Sequence, residues 1–317
     1  MHRVTESDEG AGIWRTDVRA PHSEVAHLDN RGMNKKPATA REVIGDYVAE
    51  QCTVIIESEP ELRAGENVIH KTRVAVRRLR STIRVFAELF DAKQGAWVEE
   101  ELVWWAGLLG RVRDMDILTQ RQQAMLAELP PELILGPVES SITEELAAQR
   151  KKAMDELVEA LNSERYRKFI GMVHHWRSDP PFTPAAEASA DSIDAAIKKA
   201  KKKAGKRLTK AVVARRADEP SDELFHRARK ASKRHRYAVE AALPIWGTKA
   251  EKIISERKDL QDLLGNFQDS IVSAAFLREL GARRGVRAGQ NGFSYGVLYA
   301  RELAARDSLL DDLKPFL

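Results

Sequence analysis

A single cysteine, Cys52, in a chain of 317 residues excludes an intramolecular disulfide and any zinc site built on several thiolates. Lying in an apolar run, Cys52 reads as a small buried hydrophobe. Long hydrophobic runs are missing as well. No segment approaches the length needed to span a bilayer, so membrane insertion is not expected. The N-terminal stretch lacks the apolar core of a secretory signal, and a cytoplasmic location follows as the default expectation. Familiar motifs of phosphate and metal chemistry are also absent. There is no Gly-x-x-x-x-Gly-Lys-Ser/Thr loop, no Gly-x-Gly-x-x-Gly turn and no His-Glu-x-x-His helix. No catalytic residue, metal or cofactor is therefore expected. Period-two alternation is nowhere sustained, which points to an all-α chain.

One further absence is more informative. No acidic residue lies between Glu66 and Glu88. Residues 68–90 read VIHKTRVAVRRLRSTIRVFAELF. At about 100° per residue on a helix, His70, Arg73, Arg77, Arg80 and Arg84 share an arc of roughly 80°. Ala75, Val76, Leu79, Ile83, Phe86 and Phe90 fill the opposite arc, as a core-facing stripe does. A solvated basic coat ordinarily interleaves acids to make i,i+4 pairs. Here the cations repel one another, and a polyanion lying along them would remove that cost.

The same design occurs a second time. Residues 224–243 read LFHRARKASKRHRYAVEAAL. His226, Arg229, Lys233 and Arg236 match His70, Arg73, Arg77 and Arg80 at a constant offset of 156. Leu108-Leu109-Gly110-Arg111-Val112-Arg113-Asp114 recurs as Leu263-Leu264-Gly265-Asn266-Phe267-Gln268-Asp269 at an offset of 155. Two matched segments in the same order read as an internal duplication. The spacing is far longer than solenoid periods, so two similar halves are expected and not an array.

At these residues the sequence resembles the CHAD family, the conserved histidine α-helical domain. Its signature is a His-x-x-Arg-x-x-x-(Arg/Lys)-Arg-x-Arg helix in each half, each followed by a Leu-Gly-x-x-x-(Arg/Gln)-Asp segment. The resemblance covers roughly residues 39–317. It implies two pseudo-symmetric antiparallel helical bundles and inorganic polyphosphate bound, without catalysis, in a basic cleft between them. Association with polyphosphate granules would fit such a ligand. Some family members carry a fused triphosphatase with a Glu-x-Glu-x-Lys strand. Glu57-Ser-Glu59 is followed by Pro60-Glu61, so that activity is not expected here.

Residues 1–38 are polar and aperiodic and read as a disordered extension. Residues 39–178 form the expected first half and 189–317 the second. Asp179-Pro-Pro-Phe-Thr-Pro184 opens the linker over residues 179–188. Helices are expected over 39–58, ended by Pro60, and over 68–90, 96–129, 138–161 and 165–176, the last capped by Ser163. In the second half they are expected over 189–216, 224–243, 249–280 and 294–313, with glycine-rich 281–292 as a loop. Gly110 within its helix reads as a point where another helix approaches closely, at a cost of about 1 kcal/mol.

The net charge of +4 is unevenly spread. Residues 190–240 hold sixteen Lys and Arg against seven Asp and Glu, so the rest of the chain is net negative. That asymmetry points to an anionic partner on one surface. Lys199, Lys202, Lys203, Lys206 and Lys210 share one arc of their helix and join the candidate binding set. Guanidinium groups hold phosphate oxygens bidentately, and lysines add point charges. Asp114 and Asp269 read as partners that orient arginines of the basic helices. Arg78, Arg227, Lys230 and Arg234 lie to one side of the arcs and read as supporting or solvated. His235 falls where Leu79 falls in the first copy, on the apolar side, and reads as a core histidine. A nucleic acid is the weaker alternative partner: Tyr237 is the nearest aromatic for base stacking. A role beside a phosphate-metabolising enzyme is a further alternative. Oligomeric state is not legible.

Overall fold

The computed structural model describes residues 37–65, 67–286 and 291–316. The extension read over residues 1–38 lies outside them, apart from its last two positions. Among the described residues every regular element is a helix. Two isolated bridges, Thr39 with Ser189 and Phe90 with Phe182, are their only strand-like pairings. Among the described residues no helix is long and apolar enough to cross a membrane.

The first helix, α1 (Ala40–Arg63), opens on a capping box. The Thr39 hydroxyl accepts from the Glu42 amide, and the Glu42 carboxylate reaches back to the Thr39 amide. Pro60 does not end it; the helix runs one turn further, to Arg63. Proline costs that turn one hydrogen bond, and packing offsets the loss. Leu62 is buried, and Arg63 donates to the Leu161 carbonyl at 2.8 Å and to Asn162 Oδ1 at 3.1 Å.

The first histidine helix, α2 (Ile69–Val85), is shorter than its periodicity predicts. The chain leaves the helix at Phe86, makes one 3-10 turn at Ala87–Leu89, and is extended at Phe90. The break lets the Phe90 ring stack on Trp176 at 5.6 Å and on Phe182 at 5.0 Å. Such pairs favour the turn over helix continuation by about 0.5–1.5 kcal/mol each beyond area burial. Next come α3 (Ala92–Ala127), α4 (Val138–Leu161) and α5 (Glu164–Ser178), the last capped by Ser163 on the Tyr166 amide as expected. Helix α1 packs on α2 and α5, and α3 packs on α2 and α4.

The connection over residues 179–188 is tied down at both ends. Asp91 donates its amide to the Pro181 carbonyl and Thr183 to the Leu89 carbonyl; Ala40 donates to the Ala188 carbonyl. Beyond it lie α6 (Asp194–Arg216), the second histidine helix α7 (Asp222–Ala241), the short α8 (Leu243–Trp246), α9 (Thr248–Gly285), α10 (Phe293–Asp307) and α11 (Leu309–Asp312). The glycine-rich stretch from 281 is helical to Gly285, not a loop from its first residue. A Cβ at Gly281 would stand 2.8 Å from the Tyr295 Cβ, so glycine there lets α10 press onto α9. That packing outweighs the weak helix propensity of glycine.

The cores are not confined to either side of the connection. One contains Leu79, Val76, Trp105 and Phe169 together with Ala238, Val239 and Ala241 of α7. A second joins Leu118, Leu126 and Ile142 to Leu277, Leu280 and Leu298. Only the third, around Leu208, Phe225 and Phe267, belongs to the later helices alone. Because the stripes of α2 and α7 enter one core, their basic arcs emerge side by side.

Candidate functional site

Helices α2 and α7 pack directly on each other, and α6 lies against both. This geometry brings most of the expected cations together. Arg73, Arg77, Arg229 and Arg236 all act on the ammonium of Lys233. Burial first, and then those four guanidinium groups, hold Lys233 well below the usual lysine range. Like charges this close cost free energy, which nearby acids offset only in part.

The cations divide by whether the fold gives them an acid. Arg73 Nη2 lies 3.2 Å from Asp114 Oδ1. Its guanidinium crosses α3 over Gly110, where an added Cβ would stand 3.5 Å from Nε and Nη2. The matching segments of the later helices show the same arrangement. Arg229 crosses α9 over Gly265 at 3.5 Å, with Asp269 as the leading charge that favours its protonation. What approaches Gly110 is therefore an arginine side chain and not, as expected, another helix. Asp269 is itself raised above the usual carboxylate range by burial.

Glu99 of α3 takes Arg80 at 3.3 Å and Arg84 at 3.1 Å. Glu240 of α7 takes Arg236 at 3.3 Å and Arg78 of α2 at 2.8 Å, and accepts from the Tyr47 hydroxyl at 3.2 Å. Arg78 is thus a strut between α1, α2 and α7, not a solvated side chain. Arg77 and Lys233, by contrast, make no ion pair with any carboxylate among the described residues. Arg113, one residue before Asp114, joins this set. It is the leading charge acting on His70.

Both histidines are held below the usual imidazole range. For His70, desolvation comes first, then Arg113, Arg73, Lys233 and Arg77. For His226, desolvation and Lys230 lower it, while Gln268 and Glu223 oppose them. His226 Nδ1 lies 2.9 Å from Gln268 Oε1. Arg113 and Gln268 occupy the same place in the two matched segments, which is the signal that would have picked out both.

The lysine arc of α6 is only partly brought in. Lys203 feels Arg207, Arg234, Arg84 and Lys199, so Lys199 and Lys203 lie on the side of the histidine helices. Lys202 and Lys206 are exposed and point further round the helix, away from its buried stripe; exposed Lys210 shares the bearing of Lys199 and Lys203 but lies two turns beyond Lys203. Arg207, flanking that stripe, was not expected and lies nearer α7, donating to the Arg227 carbonyl at 3.4 Å. Arg227 is an exposed i,i+4 partner of Glu223, as its solvated reading implies. Lys230 and Arg234 instead face Arg80, and Arg77 and Arg84 respectively, because the crossing turns that flank of α7 toward α2. His235 is 1% exposed and lowered to about 4 by burial, then by Arg257 and Lys201. It is a core histidine.

The family model described as CHAD domain matches residues 46–278. Two curated relatives, the uncharacterized proteins MT2285 and Rv2226 of two Mycobacterium tuberculosis strains, are each 32% identical over 257 residues. Those matches cover 80% of this chain and 48% of each relative, so the chain spans about half the length of the curated relatives it matches. PptA from Streptomyces chartreusis shares the fold with a TM-score of 0.71 at 20% identity, over 88% of this chain and 99% of that one. The CHAD domain from the plant Ricinus communis gives 0.63 at 23% identity, over 88% and 94%.

Proposed function

The chain belongs to the CHAD domain family, and from that membership and the geometry of α2 and α7 we propose that it binds inorganic polyphosphate without catalysis. The observation that carries this reading is the meeting of two cation rows whose central members, Arg77 and Lys233, make no ion pair with a carboxylate among the described residues; Asp262 and Asp269 act on Lys233 without bridging it. A linear polyanion supplies one charge per phosphate along both rows. The α2 row from Arg73 to Arg84 extends about 16 Å at helical rise, long enough for several phosphates. Affinity then comes from charge-assisted contacts and counterion release, and falls steeply with salt.

Tyr237 weighs against a nucleic acid. It is buried, with Arg236 at 5.1 Å and Arg78 at 6.0 Å from its ring, so no base can stack on it. Titration with long-chain polyphosphate over a salt series tests the reading, with single-stranded DNA of matched charge as competitor. Tight, salt-steep binding that DNA displaces poorly is expected. Equal affinity for both would move the assignment to a general polyanion or nucleic-acid module. Phosphate release from the bound chain would show hydrolysis and end the non-catalytic reading.

A further inference from the structure

The α2 and α7 rows suit a linear chain, but at one end the cations converge instead of running in line. Arg84 of α2, Arg234 of α7 and Arg207 and Lys203 of α6 lie close enough to act on one another where these three helices pack together. Each comes from its own backbone anchor: Arg207 is steadied by the Arg227 carbonyl, and Arg84 by Glu99. Glu99 favours the protonated form of Arg234, and it is already paired with Arg80 and Arg84. Arg84 and Lys203 are exposed, while Arg207 and Arg234 are half-buried, so an anion can reach the cluster from solvent and meet partly desolvated guanidinium groups.

The repulsion there is large. Burial, Arg84, Arg207 and Arg80 bring Arg234 down to about 10. A guanidinium keeps its proton at neutral pH even so. Burial is the larger cause and the neighbouring cations the second, and an anion seated among them would offset that second part. Inner phosphates of a chain carry one charge each, whereas a terminal phosphate carries roughly −1.5 to −2, like a phosphomonoester. Converging guanidinium groups match that compact, higher charge better than they match a passing strand.

We propose that the junction of α2, α6 and α7, centred on Arg207 and Arg234, is a distinct site for a terminal phosphate, either pyrophosphate or the free end of a polyphosphate chain. It deepens the polyphosphate reading by fixing where a chain end sits, and hence the register of the chain along the rows.

The test measures pyrophosphate binding to the full chain by calorimetry, for the parent and for Arg207→Gln, Arg234→Gln and the double variant. Each single change is expected to raise the Kd about ten-fold, the size of one lost charge-assisted contact. Melting curves establish that the variants fold. Arg207→Gln removes a side chain with a single carbonyl contact, so it keeps the test open if Arg234→Gln unfolds. Long chains with free ends and with ends blocked as phosphoramidates distinguish the two sources. The double variant should weaken the free-ended chain and leave the blocked chain close to its parent affinity. Pyrophosphate binding that is absent in the parent, or unchanged in the variants, overturns the site. So does equal weakening of blocked and free chains. If the parent binds pyrophosphate here but no long chain, the polyphosphate reading fails and the junction stands.

Discussion

Helices α2 and α7 carry matching basic arcs, yet the fold neutralises them differently. On α2 the acid comes from a neighbour: Glu99 of α3 takes the last two arginines of the row. On α7 it comes from the helix itself, through Glu240, which also reaches across to Arg78 of α2. Glu240 stands where Arg84 stands in the first copy, so a cation in one row is an anion in the other. The first histidine faces a cation, Arg113, and the second a neutral amide, Gln268. One pattern thus gives two sites of different charge density. The acids pair with the ends of the rows and leave half-buried Arg77 and Lys233, at the crossing, without an ion pair among the described residues.

The comparison can be broken by reversing charge in one row at a time. Arg73→Glu with Arg77→Glu is expected to cost long-chain affinity at least about a hundred-fold, two contacts of about 1.5–3 kcal/mol each. Arg229→Glu with Lys233→Glu should cost a comparable amount if the rows act together as linked sites. Titrations at several salt concentrations check this, and the salt slope should flatten in both variants. One variant that binds like the parent, with its slope intact, would reduce that row to a relic of the repeat.

A second contrast sits in the core. Leu79 and His235 occupy equivalent positions, and both are buried. Leu79→Ala should destabilise by about 2–5 kcal/mol. His235→Leu should instead stabilise by about 1–3 kcal/mol, because it removes a buried Nδ1 that lacks a partner. Urea denaturation of the two variants compares them directly. A loss of stability in His235→Leu would show that the ring holds its place by contacts that leucine cannot make.

The two acids offer a finer distinction. Glu240→Gln should cost about 1–3 kcal/mol of stability, since it leaves Arg78 and Arg236 without their charge. Glu99→Gln, at a more exposed pair, should cost less than about 1 kcal/mol. By freeing Arg80 and Arg84 it should tighten polyanion binding. Weaker binding in Glu99→Gln would mean that the glutamate positions those arginines for the ligand.

The smallest expected effect is in pH. His70 and His226 have folded values below the free imidazole value, so the unfolded chain binds more protons between the two. Stability of the free protein should therefore rise with pH up to about 6.5, through the histidine window. Binding runs the other way: an anion favours the charged rings, so affinity should grow as pH falls through the same window. Phosphate binding measured in buffers of different ionisation enthalpy should show proton uptake. A pH-independent affinity between about 5 and 8 would remove the histidines from the site. His226, with Gln268 and Glu223 opposing its shift, should respond less than His70.

Much of this was legible before any coordinate. A helix repeats every 3.6 residues, so composition along α2 already fixes which side is basic and which is apolar. The offset of about 155 residues paired Gly110 with Gly265 and Asp114 with Asp269, and those positions do carry the two arginines. Local spacing could not show where helices stop when packing overrides propensity. Pro60 continues inside α1, and Phe86 to Phe90 leave α2 although their period fits it. Nor could it show which cations meet an acid. Glu99 lies nineteen residues from Arg80, and Glu240 lies 162 residues from Arg78. The sequence determined the faces, because side-chain direction on a helix is a local property. The tertiary structure alone decided the charge state of the site, because Coulomb interactions follow distance in space, and distance is set by how the helices cross.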